Sequence, residues 1–407
     1  MGMYLTLAWR NIWRNKRRSW ITIASIVFAV IIALFTRSMQ LGSYAKMIDN
    51  VVSFYTGYVQ IHSAGYWEKQ TPDESFIYSD SLAWVAEQTK NTTAVTPRLE
   101  SFALVSSGEH TAGAIVIGIN PVSEDRITAL SRKVTEGEYL TADDPGILLA
   151  EGMAKRLGVG TGDTVVLLGQ GYHGVTAAGK YPVTGIVTFP SPDLNSTMSY
   201  LSLKETQFLY GAYGRVTAIA IMIDNQKHLS AVVSELKKRF DEAYEVMSWD
   251  EMLPELVQMI EADNAGGIIM LWIIYMIIGF GILGTVLMMT LERTREFGML
   301  IAIGLKRMQL SFILFLESTM LSLIAVATGI ALGIPLLVYM YYHPIVFSGR
   351  MKEVMLSYGY EPIMPFSLDP MIFCVQALAV FVVAILATIY PMVRTLRLRP
   401  VNALKTG

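Results

Sequence analysis

Four long apolar stretches stand out from the mixed pattern of the rest of the chain, and their lengths predict helices that cross a membrane. They cover Trp20–Leu41, Ile268–Leu291, Leu310–Tyr341 and Met371–Met392. A helix needs about 20 largely apolar residues to cross the roughly 30 Å hydrocarbon core of a bilayer. We therefore predict an α-helical membrane protein with four transmembrane helices, assigned to residues 19–41, 268–291, 310–341 and 371–392.

Residues 42–267, between the first and second stretches, have the mixed pattern of a large α+β domain. Alternating apolar and polar positions predict strands, which include residues 57–62, 103–105, 114–119, 164–168, 183–187 and 218–223. Helical periodicity is found at residues 82–89, 151–157, 203–210 and 226–244. We predict two lobes, one formed by about residues 50–110 plus 215–250 and the other inserted at residues 111–214.

Helical stalks are expected to frame this domain. Apolar spacing continues from the first stretch into residues 43–53, which predicts a helix that extends beyond the membrane. Ser248 and Glu251 have the spacing of a capping box ahead of the second stretch. At the other end of the chain, residues 1–18 place Trp9 and Ile12 opposite Arg10 and Arg14, a pattern typical of an amphipathic helix at a membrane surface.

Charge is distributed unevenly along the chain, and this predicts its orientation. Residues 1–18 and 392–407 carry five and four basic residues and no acidic residue. Basic loops remain on the cytoplasmic side of a membrane. We therefore expect both termini and residues 292–309 in the cytoplasm, residues 393–407 as a cytoplasmic tail, and the large domain and the loop 342–370 outside it. The basic clusters are interpreted as topology signals and lipid contacts, and no nucleic-acid partner is predicted.

Composition narrows the class of protein further. Of the 407 residues, 53% are hydrophobic and only 16% are charged, against about 25% charged residues in a soluble domain. The single cysteine, Cys374, excludes an intrachain disulfide framework, and its apolar surroundings predict a buried, unreactive side chain.

The sequence contains no recognisable set of catalytic, cofactor-binding or metal-ligating residues. The segment GQGYHG (residues 169–174) matches a dinucleotide-binding glycine pattern, but a strand-like segment with Pro182 follows it instead of the required helix. The five histidines are separated from one another and are interpreted as surface or loop residues. We expect this chain to catalyse no reaction itself, so a membrane-anchored enzyme is the least favoured class.

Two charged residues lie inside the predicted spans, where an ionisable group must pair, reach the headgroups or face the protein interior. Arg37 is near the outer end of the first span, and we expect its side chain to reach the headgroups. Glu317 is about two turns into the third span. It is predicted either to fix helix packing through a hydrogen bond or to transmit a conformational change.

The segment that joins the second and third spans is more than a turn. Residues 292–309 place apolar side chains between two basic ends, with glycines at 298 and 304. A short polar turn would suffice to reverse the chain. We therefore predict a short helix parallel to the membrane that docks its apolar face into a partner protein, with a helix that contacts only lipid as the alternative.

Several motifs, in their order and spacing, resemble the FtsX-like permeases of ABC transporters, the type VII group that includes the MacB and LolC/LolE proteins. The resemblance depends on three motifs. They are LAWRNIWRNKRRS at residues 7–19, the pattern E-x-G-x-L-x-A-x-G at residues 296–304, and RLRPVNALK at residues 397–405. Residues 146–167, followed by YPVTGIV, look most like the LolC/LolE branch. No hook for a soluble carrier is identified.

The resemblance implies a permease that pairs with a second, identical or homologous permease chain on a dimer of a separate cytoplasmic ABC ATPase in the bacterial inner membrane. ATP and Mg would bind only that ATPase. Residues 292–308 would form the coupling helix, and the implied ATPase-coupling residues are Arg293, Glu296, Gly298, Leu300, Ala302, Gly304, Lys306 and Arg307.

The resemblance also implies a function and its alternatives. Extraction or export of lipoproteins or other lipid-linked substrates is expected, in contact with membrane lipids and a periplasmic carrier. A MacB-like export of other substrates is the nearest alternative. A regulator that transmits motion to an external cell-wall hydrolase or signalling partner is a second alternative.

Overall fold

A computed structural model of the chain describes residues 2–14, 16–357 and 361–397. The predicted tail residues Arg399, Pro400, Ala403, Leu404 and Lys405 lie outside the described residues. The helices are α1 (Gly2–Arg14), α2 (Lys16–Val51), α3 (Tyr66–Lys69), α4 (Asp80–Glu87), α5 (Pro121–Thr128), α6 (Glu151–Leu157), α7 (Pro192–Thr197), α8 (Leu203–Leu209), α9 (Leu229–Arg239), α10 (Trp249–Met252), α11 (Pro254–Glu292), α12 (Thr294–Ala302), α13 (Arg307–Tyr342), α14 (Arg350–Ser357) and α15 (Pro370–Leu396).

The strands are β1 (Val59–Ser63), β2 (Phe76–Ile77), β3 (Thr92–Ser107), β4 (His110–Ile119), β5 (Val134–Gly137), β6 (Ile147–Ala150), β7 (Thr164–Gln170), β8 (Thr176–Val187), β9 (Met198–Ser202), β10 (Arg215–Val216), β11 (Ala218–Ile223), β12 (Tyr244–Ser248), β13 (Ile345–Val346) and β14 (Ile363–Met364). The chain divides into two compact units. One comprises Met1–Ala45, Ile260–Val346 and Ile363–Gly407, and the other comprises Lys46–Met259 and Phe347–Pro362.

In the part of the chain that the structure describes, four helices are long and apolar enough to cross a membrane. They are Ser19–Thr56, Pro254–Glu292, Arg307–Tyr342 and Pro370–Leu396, with mean hydropathy between 2.3 and 2.7. Each contains one of the predicted apolar stretches, so the prediction of four helices long and apolar enough to cross a membrane is confirmed. Two of these helices extend beyond their apolar stretches, as expected for the helical stalks, because α2 continues to Val51 and α11 begins at Pro254.

Small residues allow two of these helices to pack closely in the helical unit. A Cβ atom at Gly329 of α13 would lie 2.8 Å from Cβ of Val30 in α2. One turn further, a Cβ atom at Gly333 would lie 2.9 Å from Cδ1 of Leu34. Small residues four apart are a common device for helix contact in membranes, because they let the backbones approach.

The exposed Cys374 of α15 contradicts the predicted burial, since an apolar run does not tell which helix face turns inward.

The second unit is an α+β fold on one ten-stranded sheet. The order along the sheet is β12-β1-β11-β3-β4-β9-β6-β8-β5, and β7 pairs with both β3 and β8. The pairings β3-β4-β9-β6-β8-β7-β3 therefore form a closed ring of six strands. Such a barrel encloses its own apolar core.

Two large hydrophobic cores of this unit share the long strand β3, and a third, small core contains Val52, Trp249 and Met252. Val95 belongs to a core with residues of β1, β11 and α9, whereas Leu99 belongs to the core of the barrel. The division thus crosses β3 between Val95 and Leu99 and does not fall near residue 110, as we predicted. The alternating pattern predicted a strand only at residues 103–105, so it gave no sign that β3 passes from one core to the other.

Two other expectations for this unit need correction, and one is confirmed. The helix predicted at residues 226–244 ends at Arg239, and Tyr244–Ser248 forms the edge strand β12. The predicted loop 342–370 contains helix α14, and its Phe347–Pro362 portion belongs to the α+β unit. The capping box of Ser248 and Glu251 is present as predicted and begins α10.

Candidate functional site

Helix α12, between the second and third long helices, turns its apolar side chains in two directions. Phe297 is fully buried and Gly298 is also buried, so this side faces the helical unit. Leu300 and Ile303 are 41% and 84% exposed, and Met299 is exposed beside them. Exposure of large apolar side chains at a helix end is typical of a docking surface. We call Met299, Leu300 and Ile303 the outer apolar strip.

A buried ion pair fixes the start of α12 to α13. The Arg293 guanidinium donates from Nη1 to both carboxylate oxygens of Glu317, at 3.0 Å each. Glu317 is only 3% exposed, so little water competes with this pair. The Arg293 guanidinium also lies 5.2 Å from the ring centre of Phe297, within the range of a cation-π contact.

The network continues through Glu296 to the N-terminal helix. Arg293 donates from Nε to Glu296 at 3.4 Å, and Arg14 of α1 donates to the same carboxylate. Burial alone would raise the pKa of Glu296, but Arg14 and Arg293 together lower it below its usual value. Gln309 of α13 donates to the Tyr4 hydroxyl at 3.0 Å, which adds a second contact between α1 and α13. Thus α1, α12 and α13 are held together by charge pairs and a hydrogen bond.

The structure divides the eight predicted coupling residues into two groups. One group is exposed, where a partner could reach it, and consists of Leu300, Ala302, Gly304, Lys306 and Arg307. Of these, Leu300 is the large apolar residue, and the others are small or charged. Arg293 and Glu296 form the ion pairs, and Gly298 is buried. Gly304 ends the helix with a φ of +111°, a conformation that a side chain would strain. Sequence reasoning missed the role of Arg14, which the sequence showed only as one member of a basic cluster.

Arg37 is part of a second polar group in the helical unit. Its Nη1 donates to Gln40 and to Asn264 of α11, at 2.8 Å in both cases. Gln40 donates to the Tyr44 hydroxyl at 2.7 Å, and Tyr44 donates to Asp263 of α11 at 2.5 Å. These contacts join α2 to α11. Arg37 therefore has protein partners on α11, whereas we predicted that its side chain reaches the headgroups.

The nucleotide-like glycine segment belongs to a hairpin. Residues 171–175 join β7 to β8, and Gly174 has a φ of +76°, which suits a tight turn. Among the described residues, no three His, Cys, Asp or Glu side chains are grouped so that they could hold a metal ion.

His62 contradicts the interpretation of the five histidines as surface or loop residues. It is buried in β1, its Nδ1 lies 2.9 Å from the Thr217 carbonyl oxygen, and burial lowers its pKa to about 4.

Comparison with known proteins identifies the family. The model of the FtsX-like permease C-terminal domain matches residues 268–400, and the model of the MacB-like periplasmic core domain matches residues 19–239, more than half of the chain. The chain belongs to the FtsX-like, MacB-type permeases of ABC transporters.

Relatives of this FtsX-like permease match along nearly its whole length. LolC of Xylella fastidiosa, a lipoprotein-releasing system transmembrane protein, is 23% identical over 96% of both chains. The ABC transporter permease YvrN of Bacillus subtilis is 21% identical over 99% of both chains. The periplasmic region of MacB from Actinobacillus actinomycetemcomitans aligns with 53% of this chain and 98% of its own, with 18% identity and a TM-score of 0.35.

The match to the FtsX-like C-terminal domain includes the whole ion-pair network except Arg14. Residues 268–400 contain α12, α13 and α15, together with most of α11. Arg293, Glu296 and Glu317 all lie inside this range, and so does the outer apolar strip. The candidate site is therefore located in the part of the permease that carries the FtsX-like signature.

Proposed function

We propose that this permease receives ATP-driven motion from a separate cytoplasmic ATPase dimer through α12 and transmits it to its α+β domain. The outer apolar strip carries the proposal, because it offers exposed apolar side chains on a helix that is otherwise firmly fixed. Arg293, Glu317, Glu296 and Arg14 connect that helix to α13 and α1, so a displacement of α12 would move those helices as well. A second permease chain would complete the transporter.

The orientation proposed from charge places α12 on the side of the ATPase. Basic residues flank it at Arg293, Arg295, Lys306 and Arg307, and the N-terminal helix next to it is basic as well. Positive charge of this kind favours the cytoplasmic side. With both termini on that side, the α+β domain between α2 and α11 would be periplasmic, in agreement with the MacB-like periplasmic core that it matches.

For the substrate, we propose a lipoprotein or another lipid-linked molecule. The match to LolC over nearly the full length of both chains supports this class. An apolar groove of about 260 Å³ between α11 and α15, lined by Trp272, Met276, Phe280 and Leu386, would suit an acyl chain. Export of other substrates remains the second candidate, because the MacB-like domain match covers more than half of the chain.

The docking role of α12 can be tested by placing a charge in the outer apolar strip. Leu300→Asp and Ile303→Asp should each reduce co-purification of the ATPase about tenfold or more, because a carboxylate would have to be buried in the interface. Ile303→Val keeps the apolar contact and serves as the matched control. Gly304 is unsuitable for this test, because any side chain there strains the backbone.

The measurement is the amount of ATPase retained on the affinity-purified full-length permease, with membrane insertion checked on the same samples. Stimulated ATP hydrolysis should decrease in parallel with retention. If both aspartate variants retain the ATPase and its stimulated rate at the level of Ile303→Val, the docking assignment is wrong.

A further inference from the structure

The end of α2 enters the α+β unit at a buried cluster of charged and polar residues that the proposed function has not yet used. After Val51, the chain makes a π-helical turn over Val52–Thr56 before it continues into β1. The Tyr55 carbonyl accepts a hydrogen bond from Arg98 Nη1, and the Tyr55 hydroxyl donates to Glu100 at 2.9 Å. π-helical turns are rare, and they are frequent at functional sites.

Arg98 is the centre of the cluster. It donates from Nε and Nη2 to the two carboxylate oxygens of Glu124 at 2.9 and 2.7 Å, and Nη1 lies 3.7 Å from Glu100. Arg98 is 1% exposed and Glu124 is fully buried. Burial raises the pKa of Glu100, and the charge of Arg98 opposes this change.

This turn and the residue two positions after it contact the two large hydrophobic cores. Phe54 and Tyr55 of the turn pack against the core of the six-stranded barrel, and Tyr58 packs against the other large core. The Lys133 ammonium lies 3.9 Å from the ring centre of Phe54, which holds that ring from the barrel side. The end of α2 is thus attached to both lobes within a few residues.

The position of Arg98 within the sheet strengthens the argument. Arg98 lies on β3 between Val95 and Leu99, at the point where this strand passes from one core to the other. Buried ion pairs are poor sources of stability, since well-packed apolar residues often replace them without loss. A buried ion pair at the junction of a long helix and two lobes is better explained by a need for a defined, rigid connection.

We infer that Arg98, Glu124, Glu100 and Tyr55 form the joint through which movement of the first span is delivered to both lobes of the α+β unit. They are positioning residues, and the inference depends on the proposed transmission of motion. If the joint is loosened, the ATPase should continue to hydrolyse ATP, but the α+β domain should no longer move with the first span.

Two variants loosen the joint in different ways. Arg98→Met combined with Glu124→Met removes this ion pair at similar volume, so that the Tyr55 carbonyl loses its donor and Glu100 keeps the hydrogen bond from the Tyr55 hydroxyl. Tyr55→Phe removes only the hydroxyl that donates to Glu100 and keeps the ring in place. The control is Lys204→Gln combined with Asp143→Asn, a pair in the same unit whose side chains are 72% and 80% exposed.

The experiment measures the distance between spin labels at Arg156→Cys and Tyr342→Cys by pulsed electron paramagnetic resonance. The background carries Cys374→Ala, and the labelled chain is assembled with its ATPase and excess unlabelled permease in nanodiscs. Both label sites are exposed. Samples without nucleotide and with a non-hydrolysable ATP analogue are compared, and ATP hydrolysis and thermal unfolding are measured on each variant.

In the unmodified chain and in the control variant, the analogue should shift the distance distribution. We expect that shift to decrease at least twofold in Tyr55→Phe and in the double methionine variant, while ATP hydrolysis stays within twofold of the unmodified rate. A full shift in Tyr55→Phe, and in the double methionine variant if it folds, would overturn the joint. No shift in the unmodified chain would instead overturn the proposed transmission itself.

Discussion

At the scale of single residues, Glu317 shows how a charged side chain inside an apolar helix is paired with a specific partner. Within its own sequence neighbourhood it is an acidic side chain surrounded by apolar ones, and two roles were open. In the fold, Arg293 supplies two hydrogen bonds at 3.0 Å and Glu296 extends the pairing to Arg14. These hydrogen bonds connect α13 to the start of the helix that we propose as the docking element, and they agree with either predicted role, packing or transmission.

Replacing only one partner of this pair should be much worse than replacing both. Glu317→Gln leaves the Arg293 charge buried without its main counter-charge, and removal of one partner of a buried pair typically costs about 3–5 kcal/mol. Arg293→Met combined with Glu317→Met removes both charges and should restore most of that loss. Thermal unfolding of the purified permease in detergent measures the difference, and equal destabilisation in the single and double variants would contradict the paired role.

At the scale of elements, sequence patterns predicted the long helices and six of the fourteen described strands, but they did not predict what each element touches. Strands β1, β4, β7 and β11 overlap the predicted segments closely. One-sided burial with a period of two is clear in β7, whereas nearly all residues of β1 and β11 are buried. The long helices follow from apolar length. The strand β12 and the helix α14 were missed, because short edge elements contain too few positions to show a period.

Helix α13 offers a test of element packing. Gly329→Leu should push α13 away from α2, because even a Cβ atom at this position would lie 2.8 Å from Val30, and overpacking of this kind costs about 1–3 kcal/mol. Gly281→Leu on α11 is the matched control, since a Cβ atom there meets nothing within 4 Å. Thermal unfolding in detergent should separate the two variants, and the packing argument fails if they unfold alike.

At the scale of the whole molecule, the chain combines a helical unit that carries an outer apolar strip with an α+β unit entered at a buried charge cluster. Among the residues that the structure describes, no group of three or more His, Cys, Asp or Glu side chains could hold a metal ion. Under the proposed function, a separate ATPase supplies the energy, and the residues of this chain position and transmit.

The substrate class is a prediction at the same scale. The complex of permease and ATPase, purified in mild detergent, should carry an acylated polypeptide, because the exposed groove between α11 and α15 is apolar throughout. Mass spectrometry before and after addition of ATP should detect its release. A complex that holds only free phospholipid, and that exports another substrate or activates a cell-wall hydrolase, would favour the alternatives.

The sequence by itself determined the membrane-spanning helices, the large α+β insertion, the asymmetry of charge and the segment most suited to docking. These features depend on the length, period and composition of local stretches, and such properties do not change when the chain folds. The family resemblance rested on the same local motifs, and the comparisons confirm it.

Only the tertiary structure decided which side of α12 faces outward, which residue neutralises Glu317, and where the two lobes divide. Arg14 and Glu296 are separated by 282 positions in the chain, and Arg98 and Glu124 come together only because β3 and α5 pack side by side. Pairings between distant residues are set by how helices and strands pack. A pattern read along the chain records only which side of each element is apolar, and so it carries no information about which distant residue will be its partner.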